Sequence, residues 1–347
     1  MVVAAEVWLW DRLAGAILWD EAQQVASYEF DQAFLRSGWD IAPVTMPLRQ
    51  GKRLYTFPEI RRGRNDTFDT FKGLPGLLAD MLPDRYGNQL INTWLVQNGR
   101  PTNSLNPIEL LCFIGKRGVG ALEIKPSLRS EPTTSTNLEL DSLVAIANKI
   151  LNTRESFQTD LSKEEESALA DILKIGTSAG GARAKAVIAF NPKSGEVKSG
   201  QVKAPEGFSY WLIKFDGVTD TQFGSSVGYG RVEMAYYLMA TVSGIEMSES
   251  KLLKGKSGKT YFATKRFDRS QDERLHLISA AGMFHDDYEH SQLDYGMLIH
   301  ETDQLMNDYR VTEQQFRRAV FNVFAHNRDD HSKNFAFLAD KYGEWKL

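Results

Sequence analysis

The sequence predicts an α+β protein with a small β-rich subdomain at its N-terminus and a largely helical C-terminal part. Three observations carry this. Short apolar runs separated by turn residues fill residues 2–60, the pattern of a small antiparallel sheet. Apolar positions at helical spacing begin after Pro75 and recur to the end. The 347 residues, 42% hydrophobic and 25% charged, are ordinary globular material, long enough for about two domains and a core that needs no covalent staple.

The elements follow in order. Val7, Leu9, Leu13, Ile17 and Trp19 sit among small and charged residues, with a turn expected near 11–15, and residues 28–30 and 54–57 add short strands. Residues 61–66 are a charged loop that suits a subdomain edge. Residues 76–82 have helical spacing until Pro83 interrupts, and 85–97 repeat it and stop at Gly99. Asn106-Pro107 opens a helix through Cys112, and the glycine-dense 114–124 reads as a tight loop entering a strand. Residues 127–137, polar and aperiodic, form the clearest linker. Helices are expected over 140–151 and 162–175, the second with Ser162 and Glu165 at capping-box spacing. A Gly/Ala-rich loop from 176 leads to strands at 186–190, 210–215 and 259–267, with a helix over 230–242. The rest reads as helical to about 327 with a polar loop at 302–311, and the end as a hairpin turning at 339–343.

Charge and composition exclude several classes. Lys and Arg number 41 against 45 Asp and Glu, a net charge of −4, which argues against free nucleic acid as the sole partner. The single cysteine, Cys112, rules out an intramolecular disulfide framework and reads as a core thiol. No apolar run approaches the length of a membrane span. The opening stretch carries Glu6, Asp11 and Arg12, without the layout of a signal peptide. A cytoplasmic protein with no membrane partner is the expectation.

The strongest chemical signal is residues 327–334, Asn-Arg-Asp-Asp-His-Ser-Lys-Asn. Arg328-Asp329 followed five residues on by Asn334 is the R-D-x-x-x-x-N spacing of a protein-kinase catalytic loop, with Asn327 where a histidine is usual. The Asp must reach a hydroxyl and the Asn a magnesium ion, so a short loop has to aim both into one cleft. An Asx-rich turn capping the preceding helix also fits this loop taken alone. Lys214 lies inside an apolar strand segment, Trp-Leu-Ile-Lys-Phe, where a charge needs a partner; Glu233 in the next helix is the candidate. A solvent-facing Lys214 with its stem lying on apolar surface is the competing reading. Residues 176–185 are small and flexible enough for amide groups to approach a phosphate, or they form an ordinary connection. Other patterns are set aside. Residues 255–260 lack the first glycine of a Walker A loop, the glycines of 115–120 are in the wrong order for a dinucleotide loop, and His285, Asp286, Asp287 and His290 read as a solvated loop rather than a zinc site.

With these residues in hand, the sequence resembles the HipA family of bacterial toxin kinases. Residues 71–84 are similar to its F-x-GLPG-x-x-x-D-x-LPD signature, residues 106–123 to its proline-to-GAL stretch, Arg266-Phe-Asp-Arg269 to its RFDR, and residues 327–335 to its catalytic loop. The resemblance implies a two-lobed, protein-kinase-like fold. Its parts would be an N-terminal β-rich subdomain (1–70), a kinase-like N-lobe with a helical insert (71–265) and a partial helical C-lobe holding the catalytic loop (266–347). It implies a serine/threonine protein kinase using ATP and Mg2+ on a cytoplasmic protein substrate, such as an aminoacyl-tRNA synthetase. It also implies a HipB-like helix-turn-helix antitoxin as partner, with DNA reached only through that antitoxin. Carried over by residue, Asp329 is the catalytic base, Asn334 the metal ligand, and Lys214, with Glu233, the holder of the α/β-phosphates. Ser178, Ala179, Gly180, Gly181 and Lys185 belong to the phosphate-binding loop, with Ser178 the autophosphorylation site. Lys265 and Phe267 flank the adenine hinge, and His331 faces the nucleotide. The family places a Tyr-Asp pair and further helices after this loop, whereas the sequence closes at Leu347 and its one later aspartate, Asp340, falls in the expected hairpin turn. An incomplete C-lobe with weak magnesium–ATP binding is therefore expected. The alternative is a truncated, inactive subunit that acts by binding an antitoxin or repressor. A small-molecule kinase on the same scaffold is a third reading, which the N-terminal signatures oppose.

Overall fold

The computed structural model describes residues 2–48, 51–60, 70–128, 137–152, 167, 170–173, 176, 183–200, 203–220, 224–270 and 273–347. The first sheet contains β1 (Ala4–Leu9), β2 (Arg12–Asp20), β3 (Val25–Phe30), β4 (Leu54–Thr56) and β5 (Leu122–Lys125), ordered β4-β3-β2-β1-β5. The β1–β2 turn is tighter than expected: Trp10 and Asp11 both take positive φ (47° and 62°), the backbone of a two-residue hairpin. Gly15, which suggested a turn, lies within β2. A Cβ there would meet the Glu29 carbonyl oxygen at 2.3 Å and the Tyr28 hydroxyl at 2.7 Å, so glycine serves close strand packing.

Among the described residues, three α-helices lie between β4 and β5: α1 (Gly76–Ala79), α2 (Arg85–Gln97) and α3 (Pro107–Ile114). The α3 start is fixed by a capping box: the Glu109 N–H donates to Asn106 Oδ1 (2.8 Å) and the Asn106 N–H to Glu109 Oε2 (3.0 Å). Val7, Leu9, Ile17, Phe30, Leu78, Ile108 and Phe113 form one core with Ile278 and Phe337 from the distant C-terminal part.

Next among the described elements is α4 (Leu140–Asn152). It packs its apolar stripe, Leu143, Ile146, Ala147 and Ile150, into a second core with Ala186, Ile188, Trp211, Ile213, Tyr261 and Ala263. These belong to a sheet of β6 (Lys185–Phe190), β7 (Val197–Ser199), β8 (Ser209–Lys214), β11 (Ser250–Lys254) and β12 (Thr260–Lys265), ordered β11-β12-β8-β6-β7. A two-residue ladder, β9 (Thr219–Asp220) with β10 (Gly224–Ser225), precedes α5 (Tyr229–Val242), which packs on β11 and β12. The helix expected over 162–175 lies mostly outside the described residues, of which 170–173 are helical. Ser178, Ala179, Gly180 and Gly181 also lie outside them.

The C-terminal part corrects the all-helical expectation. β13 (Arg269–Ser270) pairs with β14 (Glu273–Arg274), and β15 (His276–Ser279), β16 (Ala336–Ala339) and β17 (Trp345–Lys346) form a three-stranded sheet. The segment His-Leu-Ile-Ser becomes a strand because residue 336 and its neighbours come back to pair with it, Ser279 opposite Ala336, a contact invisible to local periodicity. Three helices, α6 (Ala280–Phe284), α7 (Tyr295–Met306) and α8 (Tyr309–Phe324), fill the interval. The polar loop expected at 302–311 shrinks to Asn307 and Asp308, because Asp308 caps α8 by accepting the Arg310 N–H (2.9 Å). The terminal hairpin forms as expected. Asp340 Oδ1 accepts the N–H groups of Tyr342 (2.8 Å) and Glu344 (3.1 Å) within its turn. Among the described residues no helix is long and apolar enough to cross a membrane.

Candidate functional site

Strand alternation sets the first half of the site. Trp211 and Ile213 of β8 point into the second core, so Lys214 is directed to the opposite face. Its register partner on β6 is Lys185, and directly opposed residues share a face. Two cations thus stand side by side at the ends of adjacent central strands. Lys214 Nζ lies 2.7 Å from Glu233 Oε2 on α5, with both side chains partly exposed. Lys185 is almost wholly buried. Burial, with repulsion from Lys214, lowers its pKa to about 7, against the opposing pull of Asp84, Glu233 and Asp329.

The second half is the loop after α8. The Asn327 amide donates to Asn322 Oδ1 (3.1 Å), and its own Oδ1 accepts the Asp329 N–H (3.1 Å). Asn327 is therefore the residue that shapes the loop. The Asn334 amide donates to the Asp329 carbonyl oxygen (2.6 Å), which pins the two ends of the R-D-x-x-x-x-N segment together and leaves Asn334 Oδ1 to serve as a ligand. His331 Nε2 lies 3.4 Å from Asp329 Oδ1. Bonding to His331, then the nearby Lys214 and Lys185 charges, holds the Asp329 carboxyl below its ordinary pKa despite partial desolvation. Asp329, Lys185, Lys214 and Glu233 thus form one electrostatic cluster. Lys265 ends β12, its N–H bonded to the Glu249 carbonyl (2.8 Å), and Phe267 stands exposed beyond it.

Sequence reasoning gave no role to the residues that brace this loop. Lys333 Nζ lies 2.6 Å from Asp84 Oδ1, both largely buried. Burial opposes the Lys333 charge, but Asp84, then Tyr288 and Asp80, outweigh it and keep the ammonium protonated. The Ser332 hydroxyl donates to Asp286 Oδ2 (2.5 Å). The Ser279 N–H and hydroxyl donate to the two Asp80 oxygens (2.6 and 2.7 Å). Segment 285–290 is thus not simply a solvated loop. His285 is mostly buried, its Nε2 accepts the Gly76 N–H (3.0 Å), and burial lowers its pKa to about 4. The available sign was in the motif itself, since Asp80 and Asp84 are the two acids of the 71–84 signature. Here α1 crosses α6 so closely that a Cβ on Gly76 would sit 2.4 Å from the Gly282 carbonyl oxygen. Cys112 is a buried core thiol whose pKa burial raises to about 11.

Lys185 and Lys214 side by side on one sheet, the Glu233 partner on α5 and an Asp/Asn loop after α8 are the parts of a kinase-like architecture. Residues 5–125 match the HipA N-terminal domain model and residues 177–347 the HipA-like C-terminal domain model. The chain belongs to the HipA family. It is similar in structure to a chain of the Shewanella oneidensis MR-1 toxin–antitoxin complex of HipA, HipB and operator DNA. The TM-score is 0.62 at 16% identity, over 99% of this chain and 74% of that one. No curated protein matches it in sequence.

Proposed function

We propose that the protein is a serine/threonine kinase of a HipA/HipB-type toxin–antitoxin system, moving the ATP γ-phosphate to a hydroxyl of a protein substrate. The observation that carries this reading is the Lys214–Glu233 ion pair, with Lys185 as the register partner of Lys214, together with the Asp329 loop whose backbone is fixed by Asn327 and Asn334. Two adjacent lysines suit a polyphosphate, and a carboxylate on a braced loop suits a hydroxyl nucleophile. The donor chemistry also fits magnesium: the Asn334 amide donates to the Asp329 carbonyl oxygen, so its Oδ1, a hard oxygen, would be the ligand that holds the ion. Magnesium–ATP, when bound, supplies the transferable phosphoryl group and neutralises its charge. The chain's own residues do the rest. Lys214, held straight by Glu233, and Lys185 orient the phosphates. Asp329, kept ionised at neutral pH, orients the attacking hydroxyl and accepts its proton. Asn327 and Asn334 fix Asp329 by bonding its backbone on both sides. Ser178 is the proposed self-modified residue, and Lys265 to Phe267 the adenine edge. The Shewanella complex of HipA, HipB and operator DNA supports a HipB-like antitoxin as partner; on this reading it is a helix-turn-helix protein through which DNA is reached.

A second reading, a HipA-family subunit that binds an antitoxin without phosphotransfer, has one observation behind it: the Asp340 carboxylate is engaged with its own turn. Incubation with γ-labelled ATP and magnesium separates the two. The kinase reading expects label on the chain, abolished by Asp329→Gln and mapped to Ser178. A folded chain that takes no label with or without a candidate substrate supports the binding role.

A further inference from the structure

The N-terminal module, residues 5–125 as matched to the HipA N-terminal domain, reaches into the catalytic loop. Asp84 lies between Pro83 and α2, far in sequence from the chemistry, yet its carboxylate meets Lys333 at 2.6 Å. Lys333 is the residue before Asn334 and four after Asp329. Both members of the pair are largely buried, and Lys333 also lies 4.9 Å from the Tyr288 ring centre. The charge of the same carboxylate also favours the protonated form of Lys185. A buried charge that loses its partner is strongly disfavoured, so the position of Asp84 dictates where Lys333, and with it the loop backbone, can sit. Two neighbouring contacts brace the same region: Asp286 accepts from Ser332 (2.5 Å), and Asp80 binds Ser279 at the strand that pairs with β16.

We infer that Asp84 is a positioning residue for phosphotransfer: through Lys333 it holds the 327–334 loop so that Asp329 and Asn334 converge, which makes the N-terminal module part of the working kinase site. The inference rests on the kinase reading for its activity readout, while its structural readout is independent of it. The test uses the full chain and Asp84→Asn, with Glu29→Gln, which breaks only an exposed pair with Arg53, as control. Amide hydrogen exchange is followed over 327–335 and, as a check on folding, over β8 and β12. The expected result is protection of the loop reduced about 10-fold with the two strands and the control unchanged. In γ-labelled ATP assays, kcat falls and the magnesium concentration for half-maximal rate rises about 10-fold, while nucleotide affinity measured without magnesium moves less than about 2-fold. If Asp84→Asn does not fold, Asp84→Asn with Lys333→Met, which removes both charges of the pair, is read in the same way. Loop protection equal to the parent's in a folded variant overturns the inference, as does a loss confined to KM for ATP. A parent chain that neither binds nor transfers phosphate overturns the kinase reading instead, and the exchange result then decides this one alone.

Discussion

At the scale of single residues, Lys214 and Lys185 share a face and a register but behave differently. Lys214 is partly exposed and paired, so its ion pair adds little to folding, on the order of 1 kcal/mol or less. Its proposed work is on the phosphates. Lys214→Met is therefore expected to lower γ-phosphate transfer by about 10²-fold while the thermal midpoint stays within a few degrees, as assay and calorimetry on one preparation would check. Lys185 is the opposite case. Burial lowers its folded pKa to about 7 from an ordinary value near ~10.4 in the unfolded chain. Between those two values the unfolded chain binds the extra proton, so stability rises with pH from about 7 to about 10. Below pH 7 both states are protonated and the full cost of burying the charge is felt. A neutral amine holds phosphate poorly, so nucleotide affinity should fall as pH climbs above 7 while stability rises. Lys185→Met should flatten both slopes. Parallel titration and denaturation series across pH 6–10 would sink this account if the two slopes had the same sign. The pairing of Lys214 with Glu233 was legible in the sequence because a lysine inside an apolar strand demands a partner. The burial of Lys185 was not, since it depends on what covers the end of β6.

At the scale of elements, most of the order was legible wherever caps and periodicity are local. Pro83 before α2, Asn106-Pro107 before α3 and the apolar run of β8 each lie within a few residues of the boundary they set. What escaped was decided at long range. β15 depends on β16, nearly 60 residues away, and Gly15 sits in a strand because Tyr28 and Glu29 crowd it. The α3 cap illustrates how a local signal carries more than its own helix. Asn106 Nδ2 also donates to the Val2 carbonyl (3.0 Å), and Glu109 Oε1 accepts the Val2 N–H (3.3 Å), so the box anchors the chain's first residues. Asn106→Ala should cost about 1–2 kcal/mol in denaturant unfolding, the upper part of the range for cap removal. It should also raise hydrogen exchange at residues 2–4. A loss of only a few tenths of a kcal/mol, with exchange there unchanged, would show that the cap acts on α3 alone.

At the scale of the whole molecule, two hydrophobic cores are joined by polar clamps. Ile278 and Phe337 carry the first core into the C-terminal part, and Asp84–Lys333 closes over the loop. The other clamp is at Asp268, almost wholly buried in the RFDR segment. Arg266 binds it bidentately (2.8 and 2.5 Å), Arg269 adds a third contact (2.7 Å), and the Gly120 N–H donates to it across the domain boundary (2.8 Å). Arg274 completes the junction by donating to the Gly120 carbonyl oxygen and to Glu123. Two family signatures, RFDR and the GAL stretch, are thus the two sides of one interface. The sequence displayed both but gave no sign that they meet. Burial raises the pKa of the Asp268 carboxyl, but Arg266, then Arg269 and the Gly120 amide, outweigh it and lower the value below the ordinary carboxylate range. A carboxyl with a depressed folded pKa stabilises fully above its unfolded value, near ~4, and loses that contribution as pH falls through the folded one. Asp268→Asn removes the charge at every pH and leaves two guanidinium groups facing a neutral amide. It should cost about 3–5 kcal/mol at neutral pH and progressively less below pH 4, where the parent's advantage fades. Because the lost contacts tie Arg266, directly after β12 of the second sheet, to Gly120, just before β5 of the first, the variant should also unfold less cooperatively, with the second core melting apart from the first. Calorimetry at pH 7 and pH 3 reads both effects: one sharp transition with a shift of equal size at the two pH values would mean that Asp268 packs the junction without joining its two sides electrostatically.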